Sequence, residues 1–332
     1  MQPLPESVGV LAGPPRSPIR ERVGSFWRHG NLSDRIYAAV LLAFGLTIPL
    51  LFGFILYRLV TAAWLAIQAF GLGFLASSEW NPVSGEFGAL PFIYGTVVSS
   101  LLAVLIALPL ALGLAIFLTE LAPRWLAAPI AFGTELLAAI PSVVYGLWGI
   151  FVLVPWLRSN IQEPLADRLG DTIPLFAGPA YGVSMLAGGV ILSIMIIPFI
   201  SAVTREVLAA VPPAQREGAL ALGATRWEMI WQVVLPFAVP GILGAVILGL
   251  GRALGETMAI TMVIGNRPDM PISLFQPGYT MASVLANEFA EATGDLYLAA
   301  LMNIGLVLLG ITIVVNALAR LLVWRVARRG RA

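Results

Sequence analysis

Six long apolar runs dominate this sequence, and no water-soluble fold could bury them all. They cover residues 36–56, 92–118, 127–157, 181–204, 233–264 and 297–323. A helix rises about 1.5 Å per residue, so roughly 20 apolar residues cross a hydrocarbon core about 30 Å thick. Within lipid, backbone polar groups must pair inside their own segment, which makes each run a helix. With 59% of residues apolar and 11% charged, the chain has too little polar surface to cover a soluble core. The expected fold class is an all-α membrane protein with six transmembrane helices. A seventh apolar run, 59–75, is ambiguous by itself. If it crossed, the stretch 76–91, with Glu79 and Glu86 and no basic residue, would face the cytosol. Basic residues gather on the cytosolic side, so 59–75 is expected instead as a helix on the outer interface after span one.

The arginines fix an orientation, since the chain has no lysine. With six spans and both termini cytoplasmic, Arg16, Arg20, Arg22, Arg28, Arg35, Arg124, Arg205, Arg216, Arg226, Arg320, Arg325, Arg328, Arg329 and Arg331 lie inside. Only Arg58, Arg158, Arg168 and Arg267 lie outside, and Arg252 sits within an apolar run. The expected organisation is a polar cytoplasmic tail at 1–35, the first span plus outer interfacial segment at 36–90, a five-span core at 91–323 and a basic end at 324–332. Residues 77–90, 158–180 and 265–296, with Pro, Gly, Asn and acidic residues, are expected as outer loops. The tail over 2–30 reads as disordered. Its length before the first apolar run differs from a signal peptide, so the first span is expected to be retained. A net charge of +1 and no basic run interleaved with aromatics argue against a nucleic-acid partner. With no cysteine and His29 as the one histidine, no His/Cys cluster has metal-ligand spacing.

The most informative stretch is 211–236, between the fourth and fifth runs. Pro212 and Pro213 suit a helix start, residues 214–222 are good helix formers, and Gly223 can take the left-handed conformation that ends a helix. Thr225 and Glu228 then form a capping-box pattern that opens the next helix directly before the fifth apolar run. Here the chain resembles the permeases of ABC importers. Their loop signature is Glu-Ala-Ala, three residues, Gly, nine residues, then Ile, any residue, Leu-Pro. Glu217, Ala219, Gly223 and Leu235-Pro236 stand at matching positions, with Gly218 and Val233 as departures. The resemblance implies a type I permease fold in which 213–223 is a coupling helix. On that likeness Glu217, Gly218, Ala219, Gly223 and Ala224 contact a separate ATP-hydrolysing subunit.

Charges inside the apolar runs are the other candidates. Arg252 and Glu256 lie four apart in the fifth run and would share one helix face. Intramembrane charge is costly and usually faces protein or a water-filled path. Two readings stay open: the pair neutralises itself and braces the bundle, or Arg252, with Glu256 and Thr257, lies along the path of an anion whose oxygens suit its planar donors. Gly251 and Gly255 would let a neighbouring helix approach closely. Pro141 is expected to kink the third span, with Ser142 able to bond freed backbone groups, and Pro236 and Pro240 to kink the fifth. Glu135 precedes the first of these.

Three stretches narrow the resemblance to phosphate-importer permeases of the PstC type: 77–96, beginning Ser-Ser-Glu-Trp-Asn-Pro; 140–149, Ile-Pro-Ser-Val-Val-Tyr-Gly-Leu-Trp-Gly; and 248–258, Leu-Gly-Leu-Gly-Arg-Ala-Leu-Gly-Glu-Thr-Met. The likeness implies a multi-pass protein of the bacterial cytoplasmic membrane. It also implies four partners: a second permease of the PstA type, two ATPase subunits of the PstB type and an outer phosphate-binding protein of the PstS type. The chain has no Gly-x-x-x-x-Gly-Lys-Ser/Thr loop, so ATP and Mg would be held by the partner ATPase and no cofactor by this chain. A permease for another oxyanion is an alternative. So is an ion-coupled secondary transporter using Arg252 and Glu256. An intramembrane enzyme would need a His, Cys or paired carboxylates that the spans do not offer.

Overall fold

The computed structural model describes residues 31–329, where all regular structure except one two-stranded hairpin is helical. The tail at 1–30 and the end of the basic segment at 330–332, on which sequence expectations were placed, lie outside the described residues. The chain divides into two units, before and after the junction of Arg58 and Leu59. In the first, the helix α1 (Leu32–Phe70) begins, with Phe44 and Ile48 among many exposed apolar side chains. A helix apolar on every side, with none of its most apolar window buried, fits lipid as its solvent.

The helix α1 continues unbroken to Phe70, so 59–70 is not the separate interfacial helix expected. The reason is local: no Gly or Pro interrupts residues 57–70, and the first stop is Gly71 at φ +53°. Only the one-turn helix Gly73–Ala76 follows. The second unit then runs through a hairpin of β1 (Trp80–Asn81) and β2 (Glu86–Phe87), antiparallel with Trp80 opposite Phe87. Next come α2 (Leu90–Leu121), α3 (Arg124–Ala139), α4 (Ser142–Leu169), α5 (Met185–Ala209), α6 (Pro213–Ala221), α7 (Arg226–Leu254), α8 (Met258–Val263), α9 (Met281–Glu288) and α10 (Asp295–Arg329). Among the described residues, α1, α2, α4, α5, α7 and α10 are long and apolar enough to cross a membrane, which makes the six expected.

Besides α1, two of those six differ markedly from the sequence expectation in where they start and stop. The run 127–157 is two helices, because Ile140 and Pro141 are extended (ψ 129° and 140°) and separate α3 from α4. The proline ring excludes its predecessor from the helical region, so Pro141 breaks the chain here instead of kinking one span. The hydroxyl of Tyr145 spans the break, donating to the Leu137 carbonyl at 2.7 Å. The helix α4 then extends to Leu169, through the first half of the expected outer loop 158–180. The run 233–264 is likewise split at 255–257, between α7 and α8. Pro236 follows a widened turn, Ile230–Val234, whose Leu235 N–H bonds the Ile230 carbonyl and makes room for the ring. Pro240 lies inside α7 without interrupting it.

The centre of the second unit is α5, the most buried of the six. Its neighbour α2 presents Gly95, Ser99, Ala103, Ala107, Ala111 and Ala115, one residue in four and all buried. Such a ridge lets backbones approach where lipid removes the hydrophobic driving force and packing must hold helices together. Glycines do the same on the other contacts. A Cβ added at Gly189 of α5 would lie 2.5 Å from Leu102 of α2. One at Gly241 or Gly249 of α7 would lie 2.5 Å from Val207 or 2.7 Å from Ile200 of α5. Among the described residues no such approach is made at the pair expected to serve it: a Cβ added at Gly251 would lie 4.0 Å from Asn316, and one added at Gly255 would lie near only the Gly251 carbonyl.

Candidate coupling and translocation sites

The chain between α5 and α7 is built by local rules. Pro213 opens α6 at the position where its missing N–H costs nothing. At the other end Gly223 sits at φ +89°, donating from its N–H to Leu220 O at 3.0 Å, while Ala224 N–H reaches Ala219 O at 3.1 Å. These two bonds satisfy the last carbonyls of the helix and reverse the chain. Thr225 Oγ1 then accepts from Glu228 N–H at 3.3 Å, and the Glu228 carboxylate accepts from Thr225 N–H at 2.8 Å. The expected capping box is present, and α7 starts one residue after it opens.

The helix α6 has two unlike faces. Glu217, Gly218 and Leu222 are exposed, with Leu222 at 92%, and in the first turns of α7 Trp227 and Trp231 stand edge to face, also exposed. A groove of about 430 Å³ between α6 and the start of α7 is lined by Ala214, Gly218, Leu222, Met229, Gln232 and Val233. On the opposite face Ala219 packs on a cluster that joins α2, α5 and α7 through Ile116, Leu208, Met229 and Val234. Ala224 is half-buried. Among the described residues no atom outside the local backbone lies within 4 Å of a Cβ added at Gly218 or Gly223, so space around both is open.

One residue of this face escaped the sequence reading, which counted it only as a basic residue. Arg216 forms an ion pair with Glu120 near the end of α2 at 2.9 Å. It also donates to Leu208 O in the last turn of α5 at 2.7 Å and to Val211 O at 2.6 Å. The two side chains are only 19% and 7% exposed. A glutamate on the apolar run 92–118 side of a loop was the available signal, but nothing in spacing links positions 96 residues apart. A second ion pair, Arg205 with Glu135 at 2.8 Å, ties α5 to α3 and is more open to solvent.

At the far end of α7 the expected helical pair is absent. The helix ends at Leu254, so Arg252 and Glu256 do not share a face, and no ion pair joins them among the described residues. Instead Arg252 lies over the Phe199 ring of α5, 4.1 Å from its centroid, within electrostatic reach of Tyr145. A cation over an aromatic face is stabilised without being neutralised. Glu256 turns the other way and accepts from Ala259 N–H at 3.3 Å, capping α8. Thr257 Oγ1 donates to Gly255 O at 3.3 Å. The reading in which Arg252 and Glu256 neutralise each other is therefore corrected. Arg252 is exposed, as is Leu248 one turn earlier on the same face of α7.

The comparisons with known proteins agree with this architecture. The family described as binding-protein-dependent transport system inner membrane component matches residues 107–328. The phosphate transport system permease protein PstC of Mesorhizobium japonicum is 48% identical over 306 residues, covering 91% of this chain and 93% of that one. The protein of the same name from Pasteurella multocida is 47% identical over 290 residues, covering 86% and 90%. In fold, a bacterial ABC transporter involved in import of the acidic polysaccharide alginate matches with a TM-score of 0.55 at 20% identity, covering 91% of this chain and 98% of that one. With the capped helix between α5 and α7 and the six apolar spans, the chain belongs to the family of binding-protein-dependent transport system inner membrane components, in its PstC branch.

Proposed function

We propose that this chain is the transmembrane permease subunit of an ATP-driven phosphate importer in the bacterial cytoplasmic membrane. The observation that carries the reading is α6: a short helix closed at both ends, with Glu217, Gly218 and Leu222 open on one face and Ala219 packed into the spans on the other. A PstB-type ATPase, holding the ATP and Mg, grips the open face, where Glu217, Gly218, Ala219, Gly223 and Ala224 form or shape the contact. This chain supplies half of the path and a PstA-type permease the other half, while a PstS-type protein delivers phosphate from outside. Arg252 is the group on this chain suited to meet the anion: its donor fork matches phosphate oxygens, and the Phe199 ring leaves its charge unspent. Glu256 and Thr257 belong to the turn that sets the outer edge of that surface. Support comes from the 48% identity to a protein named as a phosphate permease. The ion-coupled alternative drew on an Arg252–Glu256 pair, and the separation of the two removes that argument.

The test is reconstitution of this chain with its second permease and ATPase in vesicles, measuring uptake of labelled phosphate. ATP-dependent uptake is expected, abolished by Glu217→Lys while the protein still inserts. Uptake by this chain alone on an ion gradient would overturn the reading.

A further inference from the structure

Gripping α6 is useful only if its displacement reaches the spans, and a nine-residue helix between two turns could swivel by itself. Its apolar seat is thin: Ala219 is its contribution to the cluster beneath, and Gly218 adds no side chain. What holds it is polar. The Arg216 guanidinium is directed inward, away from the exposed Glu217 and Leu222, and meets three acceptors on two other segments: Glu120 near the end of α2, Leu208 O in the last turn of α5, and Val211 O just beyond it. Both charged groups are largely buried, and the three acceptors engage the two terminal guanidinium nitrogens, while Arg216 Nε is buried with no partner among the described residues. The helices α2 and α5 that receive it are the pair joined along the alanine ridge.

We propose that Arg216 is a positioning residue that clamps the coupling helix to the ends of α2 and α5, so that the three move as one body when the ATPase closes. This rests on the coupling role given to α6 above. Arg216 touches neither the ATPase nor phosphate; it fixes how much of the displacement of α6 is delivered to the spans. Neutralising the clamp therefore leaves docking intact and lowers the phosphate moved per ATP hydrolysed.

The experiment compares the reconstituted complex with three variants: Glu120→Gln, Arg216→Lys and the double variant Arg216→Met with Glu120→Gln, which leaves no orphan charge behind. Recovery of the ATPase subunit on affinity-purified permease reports docking, and phosphate taken up per ATP hydrolysed reports coupling. For the double variant the clamp predicts unchanged recovery and a fall of about five-fold or more in phosphate per ATP, the lower end of coupling between distant sites. Arg216→Lys, which keeps the charge and loses the fork, falls between. Unchanged phosphate per ATP overturns the proposal, as does loss of ATPase recovery in step with uptake, which would make the pair a shaper of the docking surface alone. If the double variant does not reach the membrane, Glu120→Gln decides by the same two readouts. A wild-type complex without ATP-dependent uptake would refute the importer reading and not the clamp.

Discussion

Arg216 and Arg252 mark two ends of the same machine and are held in opposite ways. Arg216 is enclosed, with one carboxylate and two backbone carbonyls around its guanidinium. Arg252 is exposed, with an aromatic ring beneath it and no carboxylate within ion-pair distance among the described residues. An arginine whose two terminal nitrogens are both claimed by its own chain is part of the framework. One whose charge is supported but not cancelled is available to an anion that arrives from elsewhere. On the function proposed above, the contrast puts a fixed joint at the α6 end of α7 and a free cation at its other end.

The sharpest way to break this contrast is to truncate both residues and compare stability with transport. Arg216→Ala strands the Glu120 carboxylate, 7% exposed, without its partner, and breaking a buried pair from one side costs about 3–5 kcal/mol. The expected outcome is a large fall in the amount of folded protein recovered from membranes and in its thermal stability in detergent. Arg252→Gln removes a charge that no carboxylate among the described residues pairs with, so recovery should stay near wild type. A hydrogen bond to a charged group contributes about 1.5–3 kcal/mol, so phosphate uptake should fall by about ten-fold or more. Equal loss of recovery in both variants would erase the distinction between them.

The two regions also differ in how far sequence alone reveals them. Around α6 every decision is local: Pro213, Gly223, and the Thr225–Glu228 pair each act within four residues, so a reading by caps and turns recovers the structure. At 252–257 the decision is not local. The periodic apolar run continues past Gly255, and helix spacing places Arg252 and Glu256 together; tertiary packing of α8 on α4 ends the helix there instead, with Gly146 so close that a Cβ would lie 2.4 Å from Met262. Gly255 was a possible stop signal, weakened by the other glycines of the run. The break at Pro141 was legible in principle, since Ile140 before a proline is pushed to extended backbone. The Arg216–Glu120 pair was not, because nothing short of the folded α2–α5 packing brings residues 96 positions apart into contact.

Within α6 the two glycines sharpen the comparison further, since the space around both is open and only their backbones differ. Gly223→Ala meets no atom but must hold an alanine at φ +89°, a left-handed conformation that costs roughly 1–2 kcal/mol. Fraying of the α6 end should follow, seen as faster amide exchange at Gly223 and Ala224 and as weaker recovery of the ATPase subunit. Normal exchange and recovery would show that the left-handed cap is dispensable.

Gly218→Ala is the smallest effect and runs in the other direction. Gly218 lies in the middle of α6 with ordinary helical φ, and its added methyl would meet nothing within 4 Å. Replacing glycine by alanine in a helix interior removes backbone freedom from the unfolded state and stabilises by roughly 0.5–1 kcal/mol. The gain should appear as slower amide exchange across residues 216–222, with no change in overall melting. Because Gly218 lines the groove beside Leu222, the same variant also asks whether that groove must stay open. Slower exchange with unchanged ATPase recovery would mean the glycine is only a weak point in the helix. Slower exchange with reduced recovery would mean that the partner enters the space the methyl fills, and would place the docking contact at the groove instead of along Glu217.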